Sequence, residues 1–143
     1  MRTRALRSFL LTVCIWQLAA CVETLDASYS TFAEAQGKGA VAAGWVPAWI
    51  PPDATDIREV HNIDTNQFML TFTVPKSAQL SLPVGCVQVP PRTPKTPPFS
   101  RQWWPGDVPA NGFATHRHAF FACQEYFVAH SASLGEGYVW SRN

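Results

Sequence analysis

The chain has 143 residues, of which 47% are hydrophobic and 15% are charged, a composition that predicts one globular domain and excludes two. Its formal net charge of +1 includes three arginines in the first seven residues, and subtracting them leaves 8 Lys/Arg against 10 Asp/Glu. This mildly acidic balance excludes an electrostatic footprint for nucleic acid or anionic lipid headgroups, so we expect no nucleic-acid partner.

The N-terminus has the layout of a secretory signal peptide. Met1–Arg7 is basic, and residues 8–18 form an apolar stretch that is too short to span a bilayer as a stable helix. The stretch ends in Leu18-Ala19-Ala20-Cys21, which resembles the lipobox of bacterial lipoproteins. The resemblance implies cleavage before Cys21 and a membrane anchor through lipid on that cysteine. An ordinary signal peptide that leaves Cys21 free is the alternative.

The lipobox also predicts a location in the bacterial cell envelope. Val22 follows the cysteine in place of the Asp that marks inner-membrane retention in enteric bacteria, so we expect an outer-membrane anchor facing the periplasm. An oxidising compartment favours a disulfide between the two remaining cysteines, Cys86 and Cys123. Such a bond closes a loop of about 38 residues, which adds about 4 kcal/mol to the free energy of unfolding by lowering the entropy of the unfolded chain. Two buried free thiols are the alternative.

The rest of the chain predicts a single α+β domain. We assign residues 1–20 to a lipoprotein signal peptide, residues 21–28 to a polar tether and residues 29–143 to the domain. In this domain, one N-terminal helix packs on a small, mainly antiparallel sheet of about four strands, with a long Pro-rich loop. The helix is predicted over residues 30–42, because Thr31-Phe32-Ala33-Glu34 has the form of a capping box and a glycine follows.

Two aromatic corners interrupt the predicted elements. Trp45 and Trp49 stand among prolines that exclude a regular helix, and Trp103 and Trp104 form the second corner. Large aromatic side chains in a small domain are usually packing residues, so we expect the first pair to be buried against helix and sheet. The alternative is that these tryptophans stack on carbohydrate, as exposed pairs do in sugar-binding modules.

Alternating side chains predict a hairpin of strands at 57–63 and 68–74, with a turn at Asp64-Thr65-Asn66. Nine of the 12 prolines lie in residues 75–109, which predicts a long loop fastened through the disulfide. Ala119–Ala129 is apolar on both alternating faces, which is typical of one central strand. A last strand begins at Tyr138-Val139-Trp140.

A recurring signature is present in and around the hairpin: Gly44-Trp45-Val46-Pro47, Pro51, Ala54-Thr55-Asp56-Ile57, His61 and Asp64-Thr65-Asn66. It resembles that of a family of small exported bacterial proteins, including lipoproteins, of unknown function. Trp104-Pro105-Gly106-Asp107 and Tyr138-Val139-Trp140 also resemble that family. The resemblance implies the fold and the envelope location, and it implies no activity.

Glu59 and His61 are the candidate catalytic residues. Period two places Ile57, Glu59 and His61 on one face of the strand, and Arg58 and Val60 on the other. A carboxylate and an imidazole side by side orient each other as an acid–base pair. No nucleophile at motif spacing accompanies them, so the alternative is a solvated strand face with an Arg–carboxylate pair that ties the hairpin to the loop.

His116 and His118 are the candidate metal ligands. Histidines two positions apart on a strand share a face and suit zinc or copper, with His130 beyond the same strand. The sequence has no HExxH or CxxC motif, and its cysteines are expected to pair with each other, so solvated histidines are the alternative. We therefore assign no metal and no cofactor.

These observations predict a non-catalytic binding or structural lipoprotein. Its expected partners are the membrane, through lipid on Cys21, and either another envelope protein or a cell-wall glycan. The alternative is a small periplasmic hydrolase or metal-binding protein that uses Glu59, His61, His116 and His118.

Overall fold

The structure is a computed structural model that describes residues 23–105 and 117–142. Over these ranges the chain forms one seven-stranded antiparallel sheet and one short helix. The order across the sheet is β1-β2-β3-β7-β6-β5-β4. The elements are β1 (Thr24–Thr31), α1 (Phe32–Gly37), β2 (Thr55–Asn62), β3 (Phe68–Thr73), β4 (Val87–Val89), β5 (Ala119–Ala122), β6 (Tyr126–Ser131) and β7 (Glu136–Ser141).

This mainly β architecture shows that the predicted α+β fold is wrong. Seven strands replace the expected four, and the helix predicted over 30–42 covers only Phe32–Gly37. The helix begins as expected, because Thr31 Oγ1 accepts a hydrogen bond from the Glu34 amide at 3.1 Å. It ends early because Gly39 adopts a left-handed conformation at φ 82°, where its amide donates to Gln36.

Part of the predicted tether is a strand. Residues 24–28 belong to β1, an edge strand that pairs antiparallel with β2 from Thr24 to Thr31. Tyr29 is its one buried side chain, and its polar residues face solvent. The polar composition that suggested a tether is therefore that of a sheet edge, which needs few apolar residues.

The predicted hairpin is confirmed by the antiparallel pairing of β2 with β3. Asn62 organises its turn, because Oδ1 accepts hydrogen bonds from the amides of Asp64 and Thr65 at 3.0 and 2.9 Å. Asn66 takes the left-handed conformation at φ 55° that the turn requires. Side-chain chemistry at these asparagines fixes the connection between the two strands.

The single strand predicted at Ala119–Ala129 is instead a hairpin of β5 and β6. The chain reverses at Cys123, whose amide donates to the carbonyl of Tyr126 at 2.9 Å. Gln124 and Glu125 are exposed at the tip, and Arg142 donates to the Cys123 carbonyl at 2.6 Å. The polar pair that interrupted the apolar run marks this turn.

The sheet carries a core on each face. The helix face, under α1 and the loop that follows it, buries Ile57, Leu70, Val128 and Val139. The loop face, under the Pro-rich loop 90–105, buries a cluster centred on Trp140, whose indole donates to the Lys95 carbonyl at 2.9 Å. Burying one large apolar side chain contributes about 1.5–3 kcal/mol, so both coverings stabilise the sheet.

The predicted disulfide is confirmed. Cys86 and Cys123 are bonded across 37 positions of sequence. The bond ties the segment before β4 to the end of β5, where both strands lie at one edge of the sheet.

Candidate functional site

Glu59 and His61 lie next to each other on the helix face of β2, as their alternation predicted. His61 Nδ1 and Glu59 Oε2 are 2.8 Å apart and share a hydrogen bond. Trp45 covers the pair from the loop, with its ring 3.9 Å from the imidazole centroid and tilted by only 9°. Glu59 is 1% exposed and His61 is 6% exposed. The two side chains are therefore hydrogen-bonded to each other and enclosed, and an acid–base role for them stays a prediction.

Burial of the Glu59 carboxyl group changes its own pKa and that of a neighbouring tyrosine. Burial raises the pKa of Glu59, and the hydrogen bond with His61 opposes that rise. Burial also raises the pKa of Tyr29, with the Glu59 carboxylate as the next cause. Among the residues that the structure describes, Glu59 Oε1 is buried without a hydrogen-bond partner. In this geometry the pair holds Trp45 and presents no surface to a substrate.

His118 packs among aromatic rings. Its ring centroid is 6.0 Å from that of Tyr138, and its Nε2 is 3.7 Å from Glu136 Oε2. Burial, followed by the charge of Glu136, raises the pKa of Tyr138 to about 12. His116 lies outside the described residues. Within residues 23–105 and 117–142, no three His, Cys, Asp or Glu side chains are grouped to hold a metal ion.

All four candidate binding tryptophans take part in packing, since Trp103 is partly buried against the loop-face core and meets Trp104 edge-on at 6.2 Å. Trp45 stacks on His61, and Trp49 donates a hydrogen bond to the Tyr126 hydroxyl at 2.8 Å. Trp104 is 6% exposed and meets Trp140 edge-on at 5.6 Å. Edge-to-face aromatic pairs of this kind add about 0.5–1.5 kcal/mol beyond area burial.

The fourth tryptophan, Trp103, lines an open polar groove of about 450 Å³ beside the β1 edge. The groove is lined by Asp26, Ala27, Ser28, Arg58 and Trp103. Arg58 is exposed, and it forms no ion pair with any residue in the described ranges.

Asp26 is held in place by Arg101 of the Pro-rich loop. Arg101 donates through Nε to Oδ1 at 2.6 Å and through Nη2 to Oδ2 at 2.8 Å. These hydrogen bonds lower the pKa of Asp26. The loop is thereby fastened to β1, and Trp103, two residues after Arg101, is brought beside Arg58 and Ser28. The groove thus has the aromatic ring of Trp103, the exposed guanidinium of Arg58 and the hydroxyl of Ser28.

Neither Ser28 nor Arg58 is predicted from the sequence to bind a ligand. Ser28 was placed in the tether, so no strand was expected beside Arg58. A usable signal was present, since alternation put Arg58 on the face opposite Glu59 and His61. The contribution of Trp103, 45 positions further on, had no local signal.

The comparisons with known proteins bear on the first half of the sheet. Residues 23–73 match the family model described as the YbbD head domain. Over this range the chain is similar to that domain. The range includes β1, α1, β2 and β3, with Glu59, His61 and Arg58. No curated protein and no solved structure matches the chain.

The matched range ends before the later motifs at Trp104 and Tyr138–Trp140, so the family resemblance predicted for them stays a prediction. Among the described residues, no helix is long and apolar enough to cross a membrane.

Proposed function

We propose that the mature chain is a non-catalytic binding module of the bacterial cell envelope, anchored to the outer membrane by lipid on Cys21, and that it binds a cell-wall glycan. The observation that carries this proposal is the groove at the β1 edge, in which Trp103 lies beside Arg58 and Ser28. The YbbD match includes β1 and β2, which carry four of the five groove residues.

The chemistry of the groove suits a sugar polymer that carries carboxylates. The indole of Trp103 offers an apolar surface for the carbon face of a sugar ring. The Ser28 hydroxyl donates or accepts a hydrogen bond with a sugar hydroxyl, and the Asp26 carboxylate accepts one. The Arg58 guanidinium, which has no ion-pair partner in residues 23–105 and 117–142, matches a carboxylate on the glycan with two parallel hydrogen bonds.

The buried state of Glu59 and His61 supports a non-catalytic role. The pair lies on the helix face, whereas the Arg58 side chain of the groove belongs to the opposite face of β2. A substrate in the groove would therefore be separated from the pair by the sheet itself. The hydrolase alternative keeps one observation in its favour, the hydrogen bond between Glu59 and His61.

Binding can be measured by sedimentation with purified peptidoglycan sacculi. The full-length chain carrying Cys21→Ala is suitable because it keeps every described residue and has no thiol to be lipidated at that position. We expect Trp103→Ala to weaken binding about fivefold, the equivalent of one aromatic stacking contact. Arg58→Ala should weaken binding at low salt and leave a smaller salt dependence than the wild type shows.

Arg92→Ala is the matched control for charge, because Arg92 is exposed and lies outside the groove. It should bind sacculi as the wild type does. Equal binding by wild type, Trp103→Ala and Arg58→Ala would contradict the glycan proposal. A crosslinker placed at position 103 could instead recover one envelope protein. That result, together with no binding to sacculi, would favour a protein partner.

The anchor is tested separately from the groove. Cys21→Ala should move the protein from the membrane fraction to the soluble periplasmic fraction, because it removes the site of lipidation. Arg58→Ala should stay with the membrane. Unchanged membrane association of the Cys21→Ala chain would refute lipidation and leave the groove proposal standing.

The hydrolase alternative is tested by turnover. If the purified chain hydrolyses a cell-wall fragment and Glu59→Gln abolishes this activity while the fold is retained, the non-catalytic proposal is wrong. Zinc or copper at one equivalent per chain, in protein purified without a His-tag, would favour the metal-binding alternative.

A further inference from the structure

A second concave site lies at the other end of the sheet, on the helix face. It is a cavity of about 370 Å³ between the segment 78–86 and strands β4 to β6. Its walls are mainly apolar, with side chains that include Leu80, Leu82, Pro83 and Phe121. This volume lies within the range of about 300–1,000 Å³ that small-molecule sites occupy.

The segment that covers this cavity is fixed at both ends. At its start, the Ser77 amide donates to the Ala132 carbonyl at 2.8 Å. At its end, Cys86 is bonded to Cys123. A loop fixed in this way keeps the cavity formed in the absence of a ligand, so binding needs little ordering of the chain.

His130, on β6, gives the cavity wall a polar group. Its Nε2 is buried and has no hydrogen-bond partner among the described residues. A buried N–H group without a partner is rarer and more costly than a buried acceptor without one. The tautomer that avoids this cost carries its proton on Nδ1 and leaves Nε2 unprotonated.

Burial lowers the pKa of His130, with the charge of His118 as the second cause. The lowered pKa favours the neutral imidazole, which has a single N–H to donate. Two glutamines, Gln79 and Gln88, also line the cavity with polar side chains, and both are exposed.

We propose that this cavity binds a small molecule with an apolar body and one acceptor oxygen, such as a ketone or an ester, and that His130 donates a hydrogen bond to that oxygen through Nδ1. The site lies on β4 to β6, outside the residues that match the YbbD head domain. It is separate from the groove at β1, so it does not depend on the proposed function.

Two probes of the same shape test the hydrogen bond. The ketone 2-acetylnaphthalene carries an acceptor oxygen, and 2-ethylnaphthalene lacks it. We expect the full-length Cys21→Ala chain to bind the ketone about fivefold more tightly than the hydrocarbon, which corresponds to one net neutral hydrogen bond. Isothermal titration measures both affinities, and ¹⁵N NMR of the histidine ring reports which nitrogen is protonated.

Three variants separate the cavity from the hydrogen bond. His130→Leu should keep hydrocarbon binding and lose the preference for the ketone. Ala78→Phe, which fills the cavity, should abolish binding of both probes. Val84→Ala is the matched control, since Val84 is fully exposed on the same segment and does not line the cavity.

Each outcome decides the proposal, provided that amide NMR spectra show the variants folded. Absence of saturable binding of either probe to the wild type would overturn the site. Equal affinity of the wild type for ketone and hydrocarbon, or a proton on Nε2, would overturn the role of His130. If His130→Leu fails to fold, the wild-type probe ratio, the ring ¹⁵N shifts and Ala78→Phe still decide both claims.

Discussion

Trp45 lies flat on His61, with ring centroids 3.9 Å apart and planes within 9° of parallel. His61 is also hydrogen-bonded to Glu59 at 2.8 Å. Trp45 of the loop is therefore connected through His61 to the buried carboxyl group of Glu59 on β2. Gly44, just before Trp45, adopts φ 84°, which a side chain would strain. The stack and this glycine together set where the loop lies on the sheet.

Trp45→Ala should therefore destabilise the fold by about 2–4 kcal/mol, near the lower end of the cost of removing a large aromatic side chain from a core. Trp45 is half-buried, and its loss also exposes the Glu59–His61 pair to water. Urea denaturation measures the free energy of unfolding. Val84→Ala is the control and should stay within about 0.5 kcal/mol of the wild type. A similarly small effect of Trp45→Ala would show that the stack does not hold the loop.

The titration of Glu59 should make the fold lose stability as pH rises. Burial raises the pKa of Glu59 in the folded chain above its ordinary value of 4.5. The corresponding stabilisation is complete below pH 4.5 and is lost as pH rises through the raised pKa. Glu59→Gln does not titrate, so its free energy of unfolding relative to wild type should increase over this pH range. Urea denaturation at a series of pH values measures the trend.

Asp26→Asn is a control for which the free energy of unfolding, relative to wild type, should change with pH in the opposite direction. Hydrogen bonds from Arg101 lower the pKa of Asp26 below 3.8, so its stabilisation is present above pH 3.8 and is lost as pH falls through the lowered pKa. Relative to wild type, Asp26→Asn should therefore lose stability as pH rises. The same trend for both variants would contradict the assigned causes.

The features that the sequence predicted correctly have local causes. The hairpin of β2 and β3 follows from period-two alternation, and the placement of Glu59 and His61 on one face follows from the same period. The start of α1 follows from the Thr31 cap. The disulfide followed from compartment and cysteine count, which need no knowledge of the fold.

The features that were missed depend on tertiary structure. β1 is polar enough to resemble a tether, and only its pairing with β2 makes it a strand. The turn between β5 and β6 contains neither Gly nor Pro, so the apolar run was read as one strand. Both concave sites join residues far apart in sequence, Arg58 with Trp103 and Leu80 with His130, and one sequence carries no signal for such pairs.

Gly137 should not tolerate a side chain. A Cβ at this position would overlap the ring of Phe72, which lies across the glycine from the neighbouring strand β3. Phe72 is 1% exposed and has no room to move aside, so Gly137→Ala should cost about 1–3 kcal/mol as an overpacked core does. Gly37→Ala is the control, since a Cβ there meets nothing within 4 Å. It should be neutral or stabilise α1 by up to about 1 kcal/mol. Equal unfolding free energies for the two variants would contradict the contact with Phe72.

The Cys86–Cys123 bond should account for a large share of the stability. A chain that starts at Val22 contains these two cysteines alone, and a thiol assay on the denatured, unreduced protein should find none free. Replacing both by Ser should lower the free energy of unfolding by about 4 kcal/mol, because a long loop in the unfolded chain is no longer closed. The loss should fall on the segment 78–86, whose second fixed end is Cys86, so amide hydrogen exchange should rise there before it rises in β2 and β3. Two free thiols in the wild type, or uniform loss of protection across the sheet, would contradict this account.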